Sequence, residues 1–321
     1  MSDSIPRIRL YSSQSGKPRL VGREVIRLTV YLPFDHHDLS APVRGALDLY
    51  LSHLQQGPEV LSDWYDFETE PFPLDDDNWD IIRAMLAPPQ GKRFLDDVDD
   101  PREVQRYAKS QFERAVELSG GEAGISGYGF FYGSRLPWKD PRDTVSQVSF
   151  SWPTEYLREH GPERMRELIL ELASPLPFSS GHAGLAVASA FSSPAFEDIR
   201  EQALRHPGLD VTRGHTSLGR GLDGVHWLNL LGQPVLGEVG GTEVLRARLG
   251  SPDTRVHELE GGRAWVSLGS GPEGGDMSRG DFLPGYREWA RILAPWLSPC
   301  PGLKGASLEE SRSWWHRFLD P

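Results

Sequence analysis

Cysteine is almost missing from this sequence: Cys300 stands alone among 321 residues. One thiol cannot build an intrachain disulfide framework, and its rarity fits a reducing compartment, so the cytoplasm is the expected location. No apolar run approaches the roughly 18 residues that a membrane span needs. The opening residues Met1-Ser2-Asp3-Ser4-Ile5-Pro6 show no basic stretch followed by an apolar one, so no signal peptide is expected. Positive charge is also in deficit. There are 34 Lys and Arg against 46 Asp and Glu, a net charge of -12. Such a surface repels phosphates, which argues against nucleic acid as partner and for a basic protein.

Catalytic signatures are equally scarce. There is no G-x-S-x-G and no P-loop, and His257-Glu258 runs on to Leu259-Glu260-Gly261 rather than completing H-E-x-x-H. Cys300 lies between Pro299 and Pro301, where no helix N-terminus activates a thiol. Gly219-Arg220-Gly221-Leu222-Asp223-Gly224 matches G-x-G-x-x-G. A dinucleotide loop needs a strand before it and a helix after it; here His215-Thr216-Ser217 precede and a strand-like run follows, so a turn is expected. Asp35-His36-His37-Asp38 reads as a solvated polar turn, because adjacent side chains diverge and metal ligands need spacing. The calcium-loop pattern is absent around Asp75-Asp76-Asp77 and Asp80. No catalytic residue, cofactor or metal ligand is assigned.

What the sequence does have is an uneven distribution of acid. From Glu59 to Asp100 thirteen carboxylates face three bases, Arg83, Lys92 and Arg93, and this balance of -10 is most of the chain's -12. Trp64, Tyr65, Phe67, Phe72 and Trp79 are interleaved with the acids. Aromatic residues of this kind pack cores, and they also serve as interface anchors because they supply large contact area at small entropic cost.

The remaining chain reads as alternating strands and helices. Ile26, Leu28, Val30 and Leu32 share one face of a strand over Glu24 to Leu32. Ser40 reads as the cap of a helix carrying Val43, Leu47, Tyr50 and Leu54, stopped by Gly57-Pro58. A short helix is expected from Asn78 to Leu86. Asp100-Pro101-Arg102-Glu103 has capping-box logic and predicts a helix running to Ser119. Strands follow near 125–132 and 144–152, then a helix from Gly161, a strand over Gly184 to Ala190 and a helix from Pro194 to Arg205. The apolar run Gly221 to Gly232 reads as a core strand. A helix follows near 240–249. Gly261-Gly262 joins two strands as a hairpin. Tyr286, Trp289, Leu293 and Trp296 mark a last core helix, and Ser307 to Leu319 a terminal amphipathic one. The expected fold class is α+β, with antiparallel or mixed sheets and helices packed on one face. The order strand-helix-strand-strand-helix-strand, then nearly the same again, suggests two ferredoxin-like lobes. The boundaries read as an N-terminal strand or arm at 1–22, a main α+β domain at 23–297 with lobes at 23–206 and 207–297 and an acidic insertion at 58–119, then a linker and amphipathic helix at 298–321.

The stretch Gly224-Val225-His226-Trp227-Leu228-Asn229-Leu230-Leu231-Gly232 resembles the signature of the type VI immunity family, a bacterial family once known only as a domain of unknown function. His206-Pro207-Gly208-Leu209-Asp210, Leu236-Gly237-Glu238-Val239-Gly240-Gly241 and Tyr286-Arg287-Glu288-Trp289-Ala290 fall in the order that family has them. The resemblance spans Arg23 to Leu297, specific in the C-terminal half and diffuse before Ser119. It implies a cytosolic, non-enzymatic protein that binds and silences a secreted antibacterial toxin, and it supplies no catalytic residue.

Combining charge and resemblance, the expected function is immunity to a type VI secretion toxin, with a basic nuclease as the partner that an acidic surface suits. The expected partner-binding residues are Trp64, Tyr65 and Trp79 as anchors, with Asp75, Asp76, Asp77, Asp80, Asp96, Asp97, Asp99 and Asp100 as the docking charges. Two other readings stand beside it: a metal-dependent hydrolase using the Asp cluster, and a structural or assembly protein of a secretion system. Neither nucleic acid nor membrane is an expected partner, and the oligomeric state is not legible.

Overall fold

The computed structural model describes residues 5–12, 17–55, 57, 59–65, 71–88, 112–189, 195–214, 216–303 and 305–319. In chain order the strands are β1 (Arg9–Ser12), β2 (Arg19–Leu32), β3 (Asp63–Tyr65), β4 (Phe72–Pro73), β5 (Arg114–Ser119), β6 (Gly129–Ser134), β7 (Ser146–Pro153), β8 (Ser180–Ser189), β9 (Leu228–Leu231), β10 (Thr254–Leu259) and β11 (Arg263–Leu268). The helices are α1 (His36–Ser52), α2 (Asp76–Met85), α3 (Thr154–Ala173), α4 (Phe196–Arg205), the short α5 (Val235–Glu238), α6 (Gly241–Arg248), α7 (Pro284–Leu293) and α8 (Leu308–Trp315).

All eleven strands belong to one sheet of order β10-β11-β9-β8-β2-β7-β6-β5-β3-β4, with β1 also paired to β2. Every pairing is antiparallel. The chain is therefore α+β with a long antiparallel open sheet. Within it, β2, β6, β7 and β8 with α1 and α3 follow the ferredoxin-like element order. Among the described residues, the second run, β9, α6, β10, β11, α7, has no closing strand of its own. Its β9 pairs instead with β8, which also pairs with β2, so one strand serves both runs.

The alternation of β2 explains where the core sits. Ile26, Leu28, Val30 and Leu32 are fully buried, in one cluster with Leu39, Val43, Leu47 and Tyr50 of α1 and Met165, Leu168, Ile169 and Leu172 of α3. Residues two apart point to one side of a strand, and residues three or four apart to one side of a helix, so the three stripes meet. Tyr50 satisfies its buried hydroxyl by donating to Ser151 O at 2.7 Å and accepting from Gly129 N at 3.1 Å, which pins α1 to β6 and β7.

Several local expectations need correction. The helix expected through Ser119 is not what the described residues show: Arg114–Ser119 is a strand. Val116 and Leu118 point into the core, a period of two that overrides the capping pattern upstream. Residues 101–111, the rest of that expected helix, lie outside the described residues. α1 begins at His36, not near Ser40, because Asp35 caps it by accepting from His37 N at 3.2 Å. His36 is accordingly no solvated turn residue; it is buried, between Tyr132 Oη and Ala87 O, each at 3.0 Å. Helix α3 starts at Thr154, about two turns before Gly161, where the backbone breaks at φ 82°. Of the Gly221–Gly232 run only Leu228–Leu231 is strand. The Gly261-Gly262 hairpin is as expected, both glycines holding positive φ, 74° and 67°, the sign a tight two-residue hairpin turn demands.

Candidate partner-binding surface

The described part of the acidic segment folds as the small β3-β4 pair followed by α2. Asp75 caps α2 by accepting from Asn78 N at 2.9 Å. Asp76 and Asp77 occupy the first turn, where the helix dipole favours negative charge. Asp80 pairs with Arg83 at 3.0 Å, but both side chains are exposed. Such pairs contribute about 0–1 kcal/mol and leave the carboxylate available. Asp75, Asp76, Asp77 and Asp80 are all exposed, and none is locked into a buried ion pair.

Below this ridge lies a trough of about 790 Å³ between α1 and α2. Leu47, Leu51 and Leu54 of α1 and its exit line one wall, and Trp79, Ile82 and Leu86 the other, with Leu61 and Leu74 between. The spacing on each wall is three or four residues, so each wall is a single helix face. Asp48, Asp75 and Asp76 stand on its rim with Arg44 and Arg83.

The expected anchors separate. Trp79 is half-buried in the trough wall, with the Arg83 guanidinium 5.8 Å from its ring. Trp64 is not displayed at all: it is 4% exposed and stacks on Phe72 with ring centroids 5.2 Å apart. Its place is the core, so it is no anchor. Tyr65 is its neighbour on a strand and points to the opposite sheet face, beside Glu117 and Ser119. Burial pushes its phenol pKa up, helped by Asp63 and Glu117. Asp96, Asp97, Asp99 and Asp100 lie outside the described residues. The structure thus brings Asp75, Asp76, Asp77, Trp79 and Asp80 together and sets Trp64 and Tyr65 apart from them.

A second arrangement was not legible in the sequence. The face of β2 opposite the helices carries Arg27, Thr29 and Tyr31, and the segment 206–227 closes over them. Arg27 donates to Thr212 O and Val187 O, both at 2.6 Å, and approaches Asp210 at 3.8 Å. Asp210 accepts from Thr212 N at 2.8 Å and from its hydroxyl at 2.7 Å. Burial alone would raise the Asp210 pKa, but His182, then His226, and last the Arg27 guanidinium more than offset it and hold the carboxyl below its usual range. His182 Nε2 lies 3.6 Å from Asp210, too long for a hydrogen bond. Tyr31 Oη donates to Asp223. His226 Nε2 is 2.7 Å from Asp223 O, and since a carbonyl only accepts, that nitrogen carries the proton. Burial, then the neighbouring His182, pushes the His226 pKa down to about 3. From the chain's end, Arg317 donates to Pro207 O at 2.6 Å, and its pKa is lowered to about 10 by burial.

His206 to Asp210 and Gly224 to Gly232, the stretches that carried the resemblance, are thus pieces of this lid and of the strand beside it. Over residues 97–318 the sequence matches the family described as Type VI immunity for VRR-NUC. The chain belongs to that family. The matched span takes in the terminal helix, which the sequence resemblance stopped short of, and leaves out residues 23–96. No curated protein matches the chain. Among solved structures it is similar to the Pseudomonas aeruginosa T6SS protein PA0821, with a TM-score of 0.70 and 20% identity over 98% of this chain and 87% of that one. At that identity the likeness speaks for the fold alone. Among the described residues of this type VI immunity protein, no helix is long and apolar enough to cross a membrane. Nor do three or more His, Cys, Asp or Glu come together there to hold a metal ion.

Proposed function

We propose that this type VI immunity protein neutralises a VRR-NUC nuclease toxin in the cytoplasm by binding it, not by chemical modification. The observation that carries this reading is the family match over residues 97–318. The exposed carboxylates of α2 support the mode of binding. A nuclease presents cationic surface to phosphates, and carboxylates on a ridge substitute for those phosphates as competitors. Complementary fields of this kind raise association rates by roughly 10- to 1,000-fold.

The test is protection. Each open reading frame adjacent to the one for this chain is expressed in the cytoplasm of a sensitive host, with and without the immunity protein, and colony counts are scored. Rescue of growth together with a stable complex of the two purified proteins is expected. Loss of viability unchanged by the immunity protein would overturn the proposal.

A further inference from the structure

We infer that the trough between α1 and α2 receives an amphipathic helix of the nuclease, about three turns long, with an apolar stripe flanked by lysine or arginine. This inference rests on the function proposed above and adds which surface is used and what it holds.

The shape argues for a helix. The α1 wall is lined by Arg44, Leu47, Asp48, Leu51, Leu54 and Gln55. Within α1, which ends at Ser52, Arg44 to Leu51 rise about 11 Å at 1.5 Å per residue, and Leu54 and Gln55 prolong that wall past the helix end. The α2 wall repeats the pattern with Asp75, Asp76, Trp79, Ile82, Arg83 and Leu86. Two ridged helix faces with an apolar floor between them form the groove into which a third helix packs its own ridge. Leu51, Leu54, Leu61, Leu74 and Trp79 are each only partly buried, so among the described residues their apolar surface stays open to a guest. Trp79 has the position of an interface anchor: a half-exposed indole in the wall of an apolar trough.

The rim argues for the flanking charges. Asp48, Asp75 and Asp76 outnumber Arg44 and Arg83, and Asp77 and Asp80 continue the negative edge along α2. A guest with an apolar stripe alone would take water from the rim carboxylates without supplying charge in return; flanking cations supply it. A nucleic-acid-binding protein carries such cations already.

The experiment fills the trough. Gly57 lines it, has an ordinary φ, and a Cβ placed there meets nothing within 4 Å. Gly57→Trp therefore adds bulk at the trough wall with no clash at its Cβ. Gly45→Trp serves as control: it is exposed on α1, it has nothing within 4 Å of its Cβ, and it is not among the trough residues. Trp79→Ala removes the anchor without filling the trough. Each purified variant is checked for parental melting and titrated against a catalytically inactive form of the nuclease. The complex is then mapped by hydrogen exchange.

The expected result is that Gly57→Trp and Trp79→Ala each weaken binding at least tenfold, that Gly45→Trp binds as the parent does, and that amides of 47–55 and 79–86 exchange more slowly in the complex than in the free protein. If the parent binds and protects but both trough variants match it, the trough assignment falls and the immunity function stands. If those amides are already protected by self-association of this chain, a second copy occupies the trough and the inference is overturned. If the parent neither binds nor protects, the function and the inference fall together.

Discussion

His182 and His226 lie ring against ring, their centroids 3.7 Å apart and their planes 12° from parallel. Both are buried, and both belong to the layer that ties the 206–227 segment to the sheet. A proton on His226 would set a cation against its stacked neighbour where little water reaches. His36 faces the same problem beside Tyr132 of β6, where burial, with the Arg114 charge, takes its pKa down to about 4.

A pH dependence of stability follows. In the unfolded chain a histidine takes up its proton near pH 6.5; in the fold His36 does so at about 4 and His226 at about 3. Between those values the unfolded state binds more protons. The stability linked to each group is therefore complete above pH 6.5 and is lost as pH falls toward the folded pKa. The expected loss between pH 7.5 and pH 5 is roughly 1–2 kcal/mol per histidine. Urea midpoints measured at pH 7.5, 6 and 5 should fall accordingly, and His226→Gln should remove about half of the slope. A flat series over that range would show that neither ring is held neutral.

The Arg27–Asp210 pair makes a different prediction. Arg27→Met leaves the Asp210 carboxylate buried with its arginine gone, and losing one partner of a buried pair costs about 3–5 kcal/mol. Asp210→Asn removes the carboxylate at 3.8 Å, but Arg27 keeps its two carbonyl acceptors and the influence of Glu117, so a smaller loss is expected. The double variant should be more stable than the sum of the two losses allows, because neither charge is then stranded. Chemical denaturation of all four proteins measures the coupling, and strict additivity would mean that the 3.8 Å contact is not an energetic pair.

What was legible in the sequence was what repeats locally. The alternation of β2, the helical stripe from Val43 to Leu54 and the double glycine of the β10-β11 hairpin each carry their signal within a dozen residues. Residues 114–119 were misread because a strong helix-start pattern lay upstream and the strand alternation is only six residues long. Trp64 was misread because aromatic residues among acids suit a core or an interface equally well; only its stack on Phe72 decides. The buried polar layer was invisible for another reason. Arg27, His182, Asp210 and His226 come from widely separated parts of the chain, and nothing in the spacing of any one announces the others. The usable hint was that β2 places Arg27, Thr29 and Tyr31 on the face opposite its apolar stripe, in a strand central enough to need both faces covered.

Glycines separate crowding from chain entropy. A Cβ at Gly208 would sit 2.0 Å from Glu273 O, a backbone atom that cannot step aside. Gly208→Ala should therefore destabilise by about 1–3 kcal/mol or more, as overpacking does. Gly45 lies within α1 with nothing within 4 Å of its Cβ. Gly45→Ala should stabilise by about 0.5–1 kcal/mol, since alanine loses less freedom in a helix. Thermal melts of the two variants should move in opposite directions from the parent.

The charge of α2 is tested most cleanly by leaving Asp75 in place, because it caps the helix and its loss would confuse folding with binding. Asp76, Asp77 and Asp80 are changed together to Asn. A control of equal net charge changes Glu243, Glu260 and Glu309 to Gln; all three are exposed, and Glu243 and Glu260 belong to α6 and the β10-β11 turn, at the far end of the sheet order from β3 and β4. If docking uses the α2 ridge, the Asp variant associates with the nuclease about tenfold more slowly at low salt, and its rate falls less steeply as salt is added, since steering acts through local potential and is screened within a Debye length. The control should keep most of the parental rate, because none of its three charges belongs to α2 or lines the trough. Dissociation rates should change less than association rates in both. Stopped-flow association at three salt concentrations measures this directly. Equal slowing of variant and control would mean that only total charge matters and that α2 is no docking ridge.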